Sequence, residues 1–121
     1  MAKVTYTDEQ LERGREKLRR ARAWRLKNPH AWAFADLIAQ QDARDGRHVG
    51  GQQLVEAIRN RDFTDKDGKP TTTNNDFAPI IARWLIAAHP GMAACIERRA
   101  SVFDVLMQPI NEGEGGEHAE L

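Results

Sequence analysis

The chain has 121 residues, 40% hydrophobic and 30% charged, and its 18 Lys and Arg residues balance 18 Asp and Glu residues. This length and composition predict one soluble, cytoplasmic domain with a modest core and no membrane-spanning segment. The single cysteine, Cys95, excludes an internal disulfide framework and multi-cysteine zinc sites, and the four histidines have no ligand spacing. We therefore predict neither a metal nor a cofactor.

The positive charge is concentrated in the first half of the chain. Residues 1–61 carry 13 Lys or Arg against 8 Asp or Glu, whereas residues 62–121 carry 5 against 10. The densest run, RGREKLRRARAWRLK at residues 13–27, has eight positive charges and one negative charge. Such a run can neutralise nucleic-acid phosphates. It can equally be a solvated helix with the ion pairs Glu9–Arg13 and Glu16–Arg20.

A first helix is predicted to begin at Thr7, because Thr7 and Gln10 have the spacing of a capping box. Its apolar positions form one narrow stripe, which predicts that the helix lies on the surface of the domain. These positions are Leu11, Gly14, Leu18 and Ala21. Asn28-Pro29 ends this helix and begins the next, with Asn28 as N-cap and Pro29 at the first helical position. Gly46 is expected to terminate the second helix.

Three further helices are predicted from apolar periodicity. The third covers QQLVEAIRNR, the fourth follows the N-cap sequence NND and ends before Pro90-Gly91, and the fifth spans roughly 92–107. The predicted core residues are Trp32, Ile38, Leu54, Ile58, Phe77, Ile81, Trp84, Leu85, Ile96 and Phe103. Residues 1–109 are expected to form one helical domain, with the basic residues 1–27 packed on it. Residues 110–121 are expected to be an acidic, disordered tail.

The stretch DFTDKDGKPTTTNND, residues 62–76, has the aspartates of a calcium loop. With Gly68 at position 6 of an EF-hand loop, Asp65 and Asp67 occupy positions 3 and 5. Position 1 would then be Phe63, which cannot bind a cation, and position 12 would be Asn74 instead of a bidentate glutamate. We therefore predict a short β-hairpin that turns at the Asp-Gly pair and continues into the threonines.

The predicted order of elements resembles a winged helix-turn-helix domain, in which the second helix of the pair reads DNA and a hairpin follows it. The first helix and the hairpin would contact phosphates, and the third helix would read base edges. The residues predicted to contact double-stranded DNA are Arg19, Arg20, Arg22, Gln52, Gln53, Arg59, Arg61, Lys66 and Lys69. Gly50-Gly51 could bind an anion through free N–H groups, although a turn is the simpler interpretation.

An ordered set of motifs from residue 28 to about residue 99 resembles a family of small uncharacterised proteins carried by phages, prophages and related bacterial mobile elements. The matching residues are Asn28, Pro29, Trp32, Gly46, Arg47, Glu56, Ile58, Arg59, Asn74, Asn75, Ala82, Arg83, His89, Pro90 and Arg98 or Arg99. Asn60 departs from the family pattern, which has tryptophan there. So do the threonines before Asn74 and the pair Ile80-Ile81. The resemblance implies a mobile-element context and no particular activity.

No sequence motif of a known catalytic class is present, so we predict a protein that is not an enzyme. The functional hypothesis is a DNA-binding accessory or regulatory protein of a phage or mobile element. The alternative is a protein-interaction module that docks a host or replication protein. Arg83 lies in a largely apolar helix and is expected to pair with a carboxylate such as Glu56.

Overall fold

The computed structural model describes residues 5–107, which form five α-helices and two 3-10 helices. The α-helices are α1 (Asp8–Lys27), α2 (Pro29–Arg44), α3 (Gly51–Arg59), α4 (Ala78–Ala88) and α5 (Phe103–Leu106). The 3-10 helices are Asn75–Phe77 and Pro90–Ala94. The prediction of a mostly helical protein is therefore confirmed. Within residues 5–107, no helix is both long and apolar enough to cross a membrane. The predicted tail, residues 110–121, lies outside the described residues.

The core is built on α4, which packs against α3, while α3 also packs against α2. The inner positions of α3 and α4 are buried and mostly aliphatic, with Trp84 among those of α4, as their periodicity predicts. On α2 the buried positions are the small residues Ala31, Ala35 and Ala39, which let its neighbours approach closely. The predicted core residues are all buried except Trp32 and Ile38, which are partly buried.

The capping box at the start of α1 is confirmed. The Gln10 N–H donates to Thr7 Oγ1 at 3.0 Å, and the Thr7 N–H donates to Gln10 Oε1 at 2.8 Å. One stripe of α1 is buried, and it extends the predicted stripe by one turn to Trp24. Pro29 begins α2 as predicted, and Gly46 ends it with φ 74°.

Asn28 departs from its predicted role. It occupies the N-cap position of α2, but its side chain makes no capping hydrogen bond. Asn28 Nδ2 donates to the Trp24 carbonyl at 2.9 Å, and Asn28 Oδ1 accepts from Thr71 Oγ1 at 2.8 Å. The side chain, only 4% exposed, therefore joins the end of α1 to the loop that follows α3.

The predicted β-hairpin is wrong, because residues 5–107 contain no β-strand. The loop turns at Gly68 (φ 80°), but its two arms share only the isolated bridge Thr64–Pro70. Two backbone hydrogen bonds close this bridge, from the Asp65 N–H to the Lys69 carbonyl at 2.8 Å and from the Thr71 N–H to the Phe63 carbonyl at 2.9 Å. From there the threonines bind α1: the Thr71 hydroxyl donates to Asn28, and Thr72 O accepts from Trp24 Nε1 at 2.5 Å. The second arm is thus occupied by a helix instead of a partner strand.

The predicted fifth helix, 92–107, is also wrong in extent. The chain forms the 3-10 helix Pro90–Ala94, and a parallel bridge then joins Ile96 to Val49. Helix α5 begins only at Phe103, and Ser101 and Asp104 stabilise the turn that leads into it. The Phe103 N–H donates to Ser101 Oγ at 3.2 Å, and the Ser101 N–H donates to Asp104 Oδ2 at 3.0 Å. This S-x-x-D capping pattern is legible in the sequence.

Arg83 does not pair with Glu56. Its side chain is 1% exposed, and its Nη2 lies 2.8 Å from Asp104 Oδ1. Its Nε donates to the same Asp104 oxygen at 2.9 Å, while the Pro79 and Arg99 carbonyls accept at 2.9 and 3.0 Å. The planar guanidinium suits this set of acceptors, because its donors diverge in a fixed fork. Arg83 therefore joins α4 to residues 99–104 instead of to α3.

Candidate nucleic-acid interface

Residues 72–76 lie between α1 and α3 and bring the outer faces of the two helices side by side. On the α1 side, Trp24 Nε1 bonds to Thr72 O, and Lys17 Nζ lies 3.9 Å from the Asp76 carboxylate. On the α3 side, Gln52 Nε2 donates to Asn75 Oδ1 at 3.2 Å, and Arg59 Nη2 donates to Thr73 O at 3.4 Å. We call this surface the α1–α3 face: Lys17, Arg20, Gln52, Arg59 and segment 72–76.

The three predicted α1 arginines do not lie on one side of the helix. Successive residues are about 100° apart around an α-helix, so Arg20 lies about 60° from Lys17, on the α1–α3 face. Arg19 and Arg22 lie about 160° and 140° from Lys17. They line a separate groove with Leu106 of α5. The structure therefore assigns only Arg20, of the three, to the α1–α3 face.

Most of the positive charge on the first half of α1 is paired within the helix. The pair Glu9–Arg13 forms as predicted, at 3.5 Å, but Glu16 pairs with Arg19 instead of Arg20. Exposed pairs of this kind each stabilise by about 0.3–0.5 kcal/mol. Among residues 5–107, Arg20 has no ion-pair partner, so its charge on the α1–α3 face is uncompensated.

The two predicted glutamines of α3 also separate. Gln52, Glu56 and Arg59 follow one another along a single stripe, and Gln52 Nε2 donates to Glu56 Oε2 at 3.3 Å. Gln53 lies on the neighbouring side of the helix, where it lines a 390 Å³ cavity with Ile38 and other residues. Of the residues of α3 predicted to contact DNA, Gln52 and Arg59 therefore belong to the α1–α3 face and Gln53 does not.

The loop after α3 carries three predicted contacts, all of them exposed. The Arg61 guanidinium lies 4.7 Å from the centre of the Phe34 ring, so this side chain stacks towards α2. Lys66 is held through its backbone, where its N–H donates to the Lys27 carbonyl at 3.0 Å. Lys66 and Lys69 belong to a tight turn that closes at Gly68, and this backbone hydrogen bond joins the turn to the end of α1.

Asp65 organises this turn. Its Oδ1 accepts from the Asp67 N–H at 2.8 Å and from the Lys69 N–H at 3.0 Å. Burial alone would raise the pKa of Asp65, but these two backbone hydrogen bonds and the charges of Lys27 and Lys69 outweigh it. The pKa of Asp65 is therefore held below its usual value. In a calcium loop, the Asp65 carboxylate would bind the cation. In this protein, Asp65 Oδ1 accepts hydrogen bonds from the N–H groups of the chain itself.

A 490 Å³ cavity opens at the N-terminus of α3, between the first turn of α4 and residues 97–101. Arg98 and Arg99, both exposed, line it together with Gly51. A Cβ at Gly51 would lie 2.3 Å from the Ala78 carbonyl oxygen, so this glycine lets α3 and α4 pack closely. Neither arginine is among the predicted DNA contacts, because the sequence pattern predicts that both lie within a continuous fifth helix. Free N–H groups and guanidinium groups at one helix end can donate to a phosphate.

Acidic side chains reduce the charge of the α1–α3 face, because Glu56 and Asp76 lie among its basic residues. Within residues 5–107, no three His, Cys, Asp or Glu side chains are grouped so that they could hold a metal ion. Comparison of the chain with protein-family models, with curated proteins and with solved structures finds no match in any of the three. The functional assignment therefore depends on the chemistry of the surface itself.

Proposed function

We propose that the protein is a non-enzymatic DNA-binding accessory or regulatory protein, and that the α1–α3 face is its contact surface. One observation carries the proposal: segment 72–76 joins α1 to α3, so Arg20, which has no ion pair with any described residue, lies beside the polar stripe of α3. Cationic groups that flank a polar helix provide both phosphate contacts and base-edge donors. The resemblance in the sequence adds a phage or mobile-element context.

In this proposal α2 and α3 are the two helices of a helix-turn-helix pair, joined by residues 45–50. Gln52 and Arg59 are the side chains offered to base edges, since Gln suits adenine and Arg suits guanine. Lys17 and Arg20 contact phosphates on one side of α3, and Arg98 and Arg99 lie at its N-terminal end. The turn with Lys66 and Lys69 takes the place of the wing and adds phosphate contacts.

The arginines of α1 provide a matched test. Arg20→Gln should weaken binding to every duplex alike and should reduce the slope of log affinity against log salt by roughly 0.9, the effect of one lost phosphate contact. Arg22→Gln is the control, because Arg22 has the same charge and helix but lies on the other side. Fluorescence anisotropy at two salt concentrations measures both. Equal losses in the two variants would reject the α1–α3 face as the contact surface.

The glutamines of α3 test base readout in the same way. Gln52→Ala should relax the preference at one or two base pairs and cost about 1–3 kcal/mol on the best site only. Gln53→Ala, on the side of α3 that faces α2, should leave the preference unchanged. If the wild-type chain binds no duplex more tightly than about 10⁻⁴ M at low salt, which is weaker than ordinary non-specific binding, the proposal of DNA binding is rejected.

A protein-interaction module is the second candidate. The observation that favours it is the exposure of large apolar side chains on the helical surface: Leu26 is 71% exposed and Leu37 is 53% exposed. Apolar groups of this size contribute to protein interfaces, whereas phosphate contacts make no use of them. A chain that fails the anisotropy test and whose Leu26→Lys and Leu37→Lys variants lose a specific protein partner would support this candidate.

A further inference from the structure

A groove between α1 and α5 lies on the opposite side of α1 from the α1–α3 face. Its volume is 350 Å³, and its lining residues are Arg15, Leu18, Arg19, Arg22 and Leu106. The two helices are held tightly together, because a Cβ at Gly14 would lie 2.8 Å from both Leu106 Cδ1 and Val102 Cγ1. The groove is therefore bordered by three guanidinium groups and has leucine side chains between the helices. We call it the arginine groove.

The charges of the arginine groove are available to an anion. Arg22 makes no ion pair within residues 5–107, while Arg15 and Arg19 pair only with Glu12 and Glu16, each three residues earlier on the same exposed helix surface. Such pairs are worth little and exchange readily. The other side of α1 differs, since Lys17 is next to Asp76 and Lys27 is next to Asp65 and Asp67. Within this part of the chain, the carboxylates that compete for the groove arginines are therefore only those of α1 itself, whereas other segments already supply carboxylates to the lysines on the other side.

The groove also has an apolar character that suits a polypeptide better than a nucleic acid. Arg15, Arg19, Arg22 and Leu26 follow one another at spacings of four, three and four residues, so they form one stripe along α1. Leu26 at the end of that stripe is 71% exposed, and Leu18 and Leu106 lie in the groove. The complementary ligand is a peptide that carries several carboxylates and a few small or apolar residues.

The sequence that follows Leu106 of the groove contains such a peptide. Residues 108–121, QPINEGEGGEHAEL, carry four glutamates and no Lys or Arg, and they follow Leu106 after a single intervening residue. An extended chain spans about 3.3 Å per residue, so a few residues suffice to cover the roughly 16 Å from Arg15 to Leu26 along α1. We propose that the arginine groove binds the acidic segment 108–121 of the same chain. This proposal does not depend on DNA binding.

The test uses the full-length chain and compares two double variants. Arg19→Glu with Arg22→Glu reverses the charge of the groove, whereas Arg13→Glu with Arg20→Glu makes the same change on the other side of α1. All four side chains are exposed, so both variants should fold, and the amide signals of Gly14 and Leu18 verify this. The heteronuclear NOE of the amides of residues 112–120 measures their picosecond to nanosecond motion.

We expect the groove variant to lower these NOE values and the control variant to leave them at the wild-type level. Replacing the four glutamates by glutamine should shift the side-chain Nε–Hε signals of Arg15, Arg19 and Arg22 and leave that of Arg20 in place.

Identical NOE values in all three chains would overturn the proposal. Equal effects of both variants would overturn the assignment to this groove. Signals that depend on protein concentration would point to a second copy and overturn binding within one chain. Shifts of the groove arginines caused by duplex DNA but not by the glutamine changes would assign the groove to nucleic acid instead.

Discussion

Two irregular segments of this protein are held in place by different chemistry. Residues 61–74 are attached to α1 by neutral groups, the Asn28 amide, the Thr71 hydroxyl and the Trp24 indole, and Lys27 of α1, which lies beside Asp65 and Asp67, is half-exposed. Residues 95–104 are attached to α4 by one buried charge, the Arg83 guanidinium, which binds Asp104 and two carbonyl groups. Both segments replace regular structure that the sequence pattern predicts, a hairpin strand in one case and a helix in the other.

The two kinds of attachment differ in the free energy that is lost when a substitution removes one partner and leaves the other buried without it. When a buried neutral group loses its hydrogen bond, the free energy of unfolding falls by the desolvation penalty of one polar atom. When a buried charge loses its counter-ion, the loss is several times as large. The segment held by Arg83 should therefore be the more sensitive to single substitutions, even though the loop on α1 has more separate contacts. Three substitutions, in order of expected effect, test this difference.

The largest effect is expected for Asp104→Ala. It leaves the Arg83 guanidinium, 1% exposed, without an anion, and loss of one partner of a buried pair costs about 3–5 kcal/mol. Because the Asp104 side chain is 40% exposed, water can partly replace it, so the lower end of that range is expected. Urea unfolding measures the change. Asp76→Ala is the control, since its exposed pair with Lys17 is worth at most about 1 kcal/mol. A loss no larger than the control's would contradict the role of Arg83.

An intermediate effect is expected for Asn28→Ala. This change removes the acceptor of Thr71 Oγ1 and one donor to the Trp24 carbonyl, at a cost of about 1–3 kcal/mol of unfolding free energy. Hydrogen exchange at the Lys66 N–H, which bonds to the Lys27 carbonyl, should accelerate as the loop detaches. Asn60→Ala, at the exposed end of α3, is the control. If both variants exchange at the wild-type rate, Asn28 does not hold the loop.

The smallest effect is expected for Asp65→Asn, and it should depend on pH. Because the folded-state pKa of Asp65 is lowered, the folded chain binds fewer protons than the unfolded chain, and the carboxylate stabilises the turn above its ordinary pKa of about 3.9. That stabilisation is lost as the pH falls through the folded-state value. Exchange at the Lys69 N–H, corrected for intrinsic rates, should be faster in the variant than in wild type at pH 6, and this difference should shrink as the pH falls below 3.9. Asp67→Asn, which accepts no backbone hydrogen bond, should show little change across this pH range.

The sequence predicts well what local rules determine. The capping box at Thr7, the start of α2 at Pro29 and the inward positions Leu54 and Ile58 follow from spacing within one helix. Arg83 and Asn28 could not be predicted in this way, because their partners Asp104 and Thr71 lie 21 and 43 residues away. These long-range hydrogen bonds depend on which polar atoms become neighbours when the helices pack. The periodicity of apolar residues in the sequence does not predict those neighbours.

The candidate surface shows the same limit. Counting charges along residues 13–27 detects a basic helix, but it treats Arg19, Arg20 and Arg22 as equivalent. The buried stripe centred on Leu18 and Ala21 divides them between two sides of α1. A helical wheel would have placed Arg20 apart from the other two. A helical wheel could not have identified the residues that contact each side of α1, because the neighbours Asp76 and Leu106 come from distant parts of the sequence.

The distance along the chain between α1 and its partners has a consequence for synthesis. Trp24 bonds to a residue 48 positions later, and Gly14 packs against Leu106. Although α1 is made first, it cannot complete its docking until residue 106 has left the ribosome. With 20 residues and its own capping box, α1 is long enough to form on its own while it waits. Its docking should then be the last and slowest step of folding, because these contacts close the longest loops.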